Sequence, residues 1–465
     1  MAIKTHPLKI GLEIHGYLNT KEKLFCKCKT SQEPSEDDVP NSRICPICTG
    51  TPGSKPMGAN DSAIKKFIQI ALVLGSKITT TDLVWYRKHY DWADNPKGYQ
   101  TTISGSHVVP CSVGGKFEGI NITEAHLEED PAQWNPETGK INYNRSGLPL
   151  IEIVTEPEFK NSNDVISWLK SLLLSLSYIK ATRKNAGIKV DVNISTYGDR
   201  VEIKNLNSID KIKKAIEYEV LRQIENNENG ITQKRETLTY DENAGITIKM
   251  RDKEGSSDYR FLPDPDLPTL LIDKKTIESI KKNLPQMPKE KLLKLIKEFQ
   301  IDKKNAEVLS SNLDLVEFVE ELSKNKIDVS KNISWITIEL LRILNYNKKG
   351  LEDSDVDLRP EHLAELIREV EAGRITVLKA KQIMNDFIPK SFSLKDHKKE
   401  IANIDEEAIK NICEKVIKEN PHPVKEYKEG KTASLNFLIG QVMKASQRRA
   451  DFKIAGNILK RLLEE

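Results

Sequence analysis

Cysteine is scarce in this chain: 465 residues contain six, too few and too dispersed for the disulfide framework of a small secreted fold. Aromatic residues make up 6%, and charge of neither sign dominates, since 72 Lys and Arg face 69 Asp and Glu for a net +3. A near-neutral chain has no overall field to attract nucleic acid, so any such surface must be local. Long hydrophobic runs are missing too. Nothing approaches the roughly 20 apolar residues of a membrane span; the most apolar stretch, Trp168–Ile179, is interrupted by Lys170, Ser171, Ser175 and Ser177 and has an amphipathic helical pattern. The opening MAIKTHPLKIGLEIH lacks the apolar centre of a secretion signal, so a cytoplasmic location is expected. The usual nucleotide loops are absent: Gly430-Lys431-Thr432 is preceded by Lys425 where a phosphate-binding loop requires glycine.

What is present is more specific. Four of the six cysteines form two close pairs, Cys26-x-Cys28 and Cys45-x-x-Cys48. Such pairs across a short loop match a structural zinc site that holds four thiolates tetrahedrally; the alternative is a set of small buried hydrophobes. Cys111 and Cys413 stand alone and are expected to pack in cores.

The length suggests two or three domains. Up to about residue 270, short alternating runs recur between Gly, Pro, Asn and Asp clusters, with helical patterns at Ser62–Leu74, Ser162–Ile179 and Ile209–Asn226. After Leu262-Pro263-Asp264-Pro265-Asp266-Leu267-Pro268 the strand signals vanish, and from Pro288 onward the chain is rich in Lys, Glu and Leu at helical spacing. Breaks are expected near Phe387-Ile388-Pro389 and Asn420-Pro421-His422-Pro423, with a last helical segment over Lys431–Leu463. The expected class is α+β: a β-rich body over 1–287, an all-α domain over 288–402 and a small helical tail over 403–465.

Several strands aim polar groups one way. In KIGLEIHGYL, Ile10, Leu12 and Ile14 alternate with Glu13 and His15, which therefore share a face. KVDVNIS repeats the pattern with Asp191 and Asn193 opposite Val190, Val192 and Ile194; RVEIKNLNS returns after Tyr197-Gly198-Asp199 as the second arm of a hairpin, with Glu202 and Lys204 facing away from Val201 and Ile203. Glu152 lies inside the apolar run Leu148–Val154, where a lone carboxylate is costly unless paired or ligated. In HLEED, Glu128, Glu129 and Asp130 follow His126 in a row that only solvent or a cation relieves. Oxygen-rich ligands of this kind suit Mg²⁺ or Mn²⁺. With Lys88, Lys97, Arg145 and Lys204 as candidate phosphate partners, the combination points to phosphoryl chemistry.

Taken together, IGLEIH, KLFCKC, CPICTGTPGSKP, NPKGYQ, AHLEED, NRSGLPLIEIVTEP, VEIKNLNS, KAIEYEVLRQIE, DYRFLPDPDLP and FLIGQVMKAS resemble the GatB family, the B subunits of tRNA-dependent amidotransferases, in the family's order along nearly the whole chain. The resemblance implies a cradle carrying the active site, a helical domain and a tail domain that grips tRNA. It implies phosphorylation of the side-chain carboxylate of Glu-tRNA(Gln) or Asp-tRNA(Asn) with ATP and Mg²⁺. Ammonia would come from a GatA-type glutaminase, and a small GatC-type protein would brace the pair. Carried over by motif, Glu13, His15, Glu129 and Glu152 correspond to the metal shell, with Glu129 as the ligand in HLEED. Lys88, Asp191, Asn193 and Lys204, with Arg145, correspond to the group that positions ATP and the aminoacyl end. Lys189 stands where the family usually has arginine, a change that keeps the charge and loses the bidentate fork. In the tail, Lys444, Arg448, Arg449 and Lys453 follow the apolar stripe Leu435, Leu438, Ile439, Val442 and Met443 and are the expected RNA contacts.

Rival readings are the E component of the archaeal two-component enzyme, a ligase acting on a small acid and free ammonia, and a non-enzymatic zinc-containing RNA-binding protein. The first carries a large inserted domain before the helices, for which DPDLPTLLID leaves no room. The second does not explain two helical modules, and the third leaves Glu152 and HLEED without purpose. The chain has no recognisable glutaminase motif of its own.

Overall fold

Strand alternation and helix capping account for the architecture. The structure is a computed structural model describing residues 8–30, 39–90, 92–105, 107–183, 188–252, 259–353, 355–396 and 403–464. It divides into two compact units, Met1–Met287 and Pro288–Glu465, and the whole is a mixed α+β fold.

The first unit is built on one large sheet. Its main path uses β1 (Lys9–Tyr17), β2 (Tyr86–His89), β3 (Tyr99–Thr102), β4 (Ile120–Glu129), β5 (Pro149–Thr155), β6 (Ile188–Ser195), β7 (Val201–Leu206), β8 (Glu236–Asp241), β9 (Ile246–Asp252) and β10 (Arg260–Pro263). The spatial order is β9-β8-β7-β6-β1-β5-β4-β3-β2-β10. Neighbours are antiparallel except β7 and β8, which are joined through the helix α3 (Ile209–Glu228) in a crossover that permits parallel pairing. The expected hairpin of β6 and β7 forms, with Val192 opposite Ile203 and Asn193 opposite Glu202.

One face of this sheet is apolar. Ile10, Leu12, Ile14, Leu127, Ile151, Ile153, Val190, Val192 and Ile203 join one buried cluster with residues of three helices. These are α1 (Asp61–Val73), α2 (Ser162–Tyr178) and α3, and each begins at a polar cap that accepts from otherwise orphaned backbone N–H groups: Asn60, Asn161 and Ser208. Trp168, Leu169, Leu172 and Leu176 bury one side of α2, as its amphipathic pattern requires. Cys111 sits fully buried in the same unit.

Among the described residues the second unit is helical. Its helices enclose two separate apolar clusters, one running from Leu295 to Leu394 and one from Ile409 to Leu463. The stripe Leu435, Leu438, Ile439, Val442 and Met443 lies in the second, together with Cys413. The expected break at Asn420–Pro423 is present: one helix, Glu406–Glu419, ends at Asn420 and the next, Pro421–Lys428, begins there. Proline at the first helical position loses no hydrogen bond, because that N–H has no intrahelical partner in any case. The stretch 397–402, which precedes the expected start of the tail, lies outside the described residues.

Candidate active site and cysteine centre

The polar face of the sheet gathers strands far apart in sequence. β1 runs between β5 and β6, which sets His15 opposite Glu152 and Glu13 opposite Asp191; Glu152 in turn stands opposite His126 on β4. Directly opposed residues of antiparallel strands share a face, so all these side chains converge. His15 Nε2 lies 3.4 Å from Glu152 Oε2 and 3.8 Å from Glu128 Oε1. The same Glu152 oxygen meets His126 Nε2 at 3.1 Å, and His126 Nδ1 lies 3.1 Å from Glu124. A second group adjoins the first: Glu13, Asp191 and Glu202, whose oxygens approach within 4.8 Å of one another. Lys204 bridges Asp191 at 2.7 Å and Glu202 at 2.5 Å, while Asn193 donates to Glu13 at 3.0 Å.

These charges are removed from water. His126, Glu128, Asp191, Asn193 and Glu202 are all buried. Burial would lower the His15 imidazole, but Glu152, Glu128 and Asp191 together raise it to about 9. His126 is likewise carried against its burial to about 10 by Glu152 and Glu124. The two imidazoles outweigh desolvation at Glu152 and hold it well below the usual glutamate range. Burial and then Glu152 push Glu128 upward; burial, Glu152 and Glu202 do the same to Glu13. Such crowding of like charge is what an added cation relieves.

The donor set fits a hard divalent ion. At bonds of about 2.1 Å, octahedral neighbours stand roughly 2.9 Å apart and opposite donors roughly 4.2 Å. The His15–Glu152 and His15–Glu128 separations of 3.4 and 3.8 Å fall between those values. Asn193 Oδ1 is a further buried acceptor with no hydrogen-bond partner among the described residues. Beside these acids lies a cleft of about 220 Å³, lined by His15, Tyr17, Lys88, Gln100, Glu128, Lys189, Asp191, Lys204 and Tyr259 among others. Lys88 stands 4.8 Å from the centre of the Tyr259 ring, and Glu128 and Glu152 keep its amine protonated despite burial.

Two expected site residues are not among the groups that converge on His15. Glu129 is not brought to His15 and Glu152. Alternation along β4 turns His126 and Glu128 to the polar face and Glu129 to the other side, where its carboxylate pairs with Lys97 and accepts from Thr101 N at 3.1 Å. Glu128 holds the position expected of Glu129. Arg145 does not line the cleft but pairs with Asp130, which does, at 3.0 Å, and donates to the carbonyls of Pro131 and Ala132 at 3.1 and 2.5 Å, so its guanidinium braces the turn at the cleft's edge. The sequence marks His126 only as the head of HLEED and Glu202 only as an outward position of the hairpin, although period-two counting from His126 reaches Glu128, and the hairpin pairing places Glu202 beside Asn193.

Cys26, Cys28, Cys45 and Cys48 come together with all four sulfurs within 4.8 Å of one another. A tetrahedral zinc with bonds of about 2.3 Å separates its sulfurs by roughly 3.8 Å, and Cys45 and Cys48 lie 3.9 Å apart. Cys26 donates to Cys48, and the nearby Lys23 ammonium adds to the effect, so the Cys48 thiol is drawn down to about 5. Lys23 is itself buried, its amine 3.1 Å from the Tyr143 carbonyl. A buried cation next to four thiols offsets the charge that thiolates acquire. The arrangement fits a metal centre. Residues 31–38, between the two pairs, lie outside the described residues.

In the tail, Lys444, Arg448 and Lys453 are exposed, while Arg449 is half-buried. The Arg448 carbonyl accepts from Thr376 at 2.6 Å, so the backbone of this basic loop joins it to the preceding helices. No helix of the described residues is long and apolar enough to cross a membrane.

Comparison with known proteins gives the family. Residues 8–278 match the family described as the GatB/GatE catalytic domain, and residues 317–463 match the one described as the GatB domain. The B subunit of the aspartyl/glutamyl-tRNA(Asn/Gln) amidotransferase of Methanocaldococcus jannaschii is 41% identical over 98% of this chain and 98% of its own length. Its counterparts of the same name from Methanosphaera stadtmanae and Methanococcus maripaludis are each 38% identical, over 98% of this chain and 99% and 98% of their own lengths. These matches define the class: an amidotransferase component with a GatB/GatE-type catalytic domain. The chain belongs to the family of B subunits of aspartyl/glutamyl-tRNA(Asn/Gln) amidotransferases.

Proposed function

We propose that the cleft activates the side-chain carboxylate of glutamate or aspartate carried on a misacylated tRNA, using ATP, and delivers it to ammonia. The observation that supports this is the polar sheet face itself: two partly buried acidic groups, His15–Glu128–Glu152 and Glu13–Asp191–Glu202, beside the amines of Lys88 and Lys204. A carboxylate is a poor electrophile, and conversion to an acyl phosphate supplies the leaving group it lacks. Bringing a polyphosphate against an anion requires positive charge to offset repulsion. Mg²⁺ bound by His15, Glu128 and Glu152 would supply part of that charge. Lys88 reaches the cleft as a protonated amine, and Lys204 is oriented by Asp191 and Glu202. Asn193 steadies Glu13. Zinc at Cys26, Cys28, Cys45 and Cys48 would be structural.

Residues 1–287 form the catalytic cradle in this reading, 288–402 the helical domain and 403–465 the tRNA-gripping tail, through Lys444, Arg448, Arg449 and Lys453. Ammonia comes from a GatA-type glutaminase, a small GatC-type protein braces the assembly, and the complex works in the cytoplasm.

The test reconstitutes the chain with its glutaminase and small GatC-type partners and supplies both misacylated tRNAs. The expected result is ATP hydrolysis stimulated by misacylated tRNA, with amidated aminoacyl-tRNA as product. Amidation of a free acid without RNA would replace this reading with a small-molecule ligase. Absence of any hydrolysis would leave an RNA-binding protein.

A further inference from the structure

The cysteine centre and the cleft are joined by a continuous series of contacts. The turn that follows Cys48 is tight: Thr49 N donates to Cys45 O and Gly50 N to Ile47 O. Gly50 has φ +68° and sits so close to the next segment that a Cβ there would lie 2.6 Å from the Pro96 carbonyl oxygen and 2.9 Å from its carbon. Only glycine meets both demands. Pro96 is followed by Lys97, whose amine pairs with Glu129 and donates to Thr101 Oγ1 at 3.2 Å. Glu129 in turn accepts from Thr101 N, and its backbone carbonyl accepts from the Gln100 amide at 2.8 Å.

Those contacts fall where the sheet is weakly joined. β3 and β4 share the ladder position Thr102–Glu128 and one further bond, Ile103 N to Leu127 O at 3.1 Å. β2 depends on β3 for its place, with Lys88 opposite Gln100. The other flank of the cysteine turn is fastened too: Ser146 Oγ donates to Cys48 O at 2.6 Å.

We infer that the cysteine centre is a clamp for the β2–β3 hairpin: it presses Gly50 onto Pro96–Lys97, and the Lys97–Glu129–Thr101 contacts pass that position to Gln100 and Lys88 at the cleft. Gly50, Lys97 and Glu129 are positioning residues, because none of them lines the cleft. The catalytic part of the inference rests on the function proposed above; the mechanical part does not. Coupling of this kind is reciprocal. If the knuckle holds the pair, loss of the pair loosens the knuckle.

The experiment follows metal rather than product. The full chain is loaded with Co²⁺, its thiolate-to-metal absorption band is recorded, and loss of that band to a chromophoric chelator is timed. Lys97→Met and Gly50→Ala are expected to bind one equivalent as the wild type does and to release it faster by about fivefold or more, at the lower end of ordinary coupling between sites. Both should lower kcat for amidation in the reconstituted complex. Lys97→Arg should restore the release rate. Lys204→Met should abolish amidation and leave release unchanged. Should Gly50→Ala fail to fold, Lys97→Met and Glu129→Gln carry the comparison. Wild-type release rates in Lys97→Met and Glu129→Gln would overturn the clamp, as would absence of a thiolate band in the loaded wild type. Faster release in a protein that amidates nothing would support the clamp while removing the proposed function.

Discussion

The cradle buries its charges and the tail displays them. In the cradle, His126, Glu128, Asp191 and Glu202 are all at least nine-tenths removed from solvent; in the tail, Lys444, Arg448 and Lys453 stand in water beside a cleanly apolar core. Isolated burial of an ionised group is unfavourable by several kcal/mol, so a buried group persists only with partners that compensate it. An exposed lysine costs the fold almost nothing. The same residue types thus carry different information: charge inside the cradle demands a purpose, whereas charge on the tail is compatible with one.

The comparison breaks most sharply at Glu152. Glu152→Gln removes the carboxylate that His15 and His126 share and leaves them only Glu128 and Glu124, so the cradle should lose stability toward the lower end of the roughly 3–5 kcal/mol of a broken buried pair, read as an earlier urea transition of the full chain, with amidation abolished. An unfolding midpoint equal to wild type would mean that the buried network is not holding the strands.

Next comes the contrast between neighbours. Glu128→Gln should raise the Mg²⁺ concentration for half-maximal amidation by about tenfold or more, the scale on which metal sites respond to loss of a ligating or supporting group. Glu129→Gln should lower kcat and leave the Mg²⁺ requirement within about twofold. A reversal of these two results would return Glu129 to the metal site.

Mutation of Lys444, Arg448, Arg449 and Lys453 to Ala together should weaken tRNA binding and reduce the slope of log affinity against log salt by about three, one for each fully exposed phosphate contact. Half-buried Arg449 adds less. Stability should change by only about 0.5 kcal/mol, as for ordinary surface positions. Unchanged affinity at low and high salt would leave the tail a solvated face.

The smallest effect is electrostatic and lies in the helical region. Burial raises Glu320, but Lys291 and Lys294, at 2.7 and 2.9 Å, outweigh it and hold the carboxyl below 4.5. A depressed folded value means that this contribution is full above about pH 4.5 and is lost as pH falls through the folded value. Glu320→Gln should therefore flatten the acid limb of the stability curve slightly and change nothing at pH 7 beyond the loss of the pair itself.

How much of this was legible beforehand follows from the range of each signal. Periods of two and 3.6 placed Ile10, Leu12 and Ile14 inward, set Glu13 and His15 on one face, and put the apolar stripe of Leu435 to Met443 in a core. Those are local patterns. The four cysteines were legible because metal spacing is local as well. Glu129 comes from the family motif, whereas the alternation along the strand turns Glu128 to the polar face with His126. What no local pattern contains is register. Glu13 meets Asp191 across 178 residues, and Glu202, His126 and the Gly50–Pro96 contact become meaningful only when that pairing is known.

The position of β1 also governs how the chain can be made. This strand, residues 9–17, precedes both of its neighbours in the chain, residues 149–155 and 188–195. At a ribosomal pace of roughly 5–20 residues per second, it must wait on the order of ten seconds before both flanks exist. During that interval Ile10, Leu12 and Ile14 form an apolar strand with two open edges, the arrangement most prone to pair with the wrong partner. The central strand of this sheet is therefore a segment whose exposure on the nascent chain is set by the sheet's topology rather than by its own sequence.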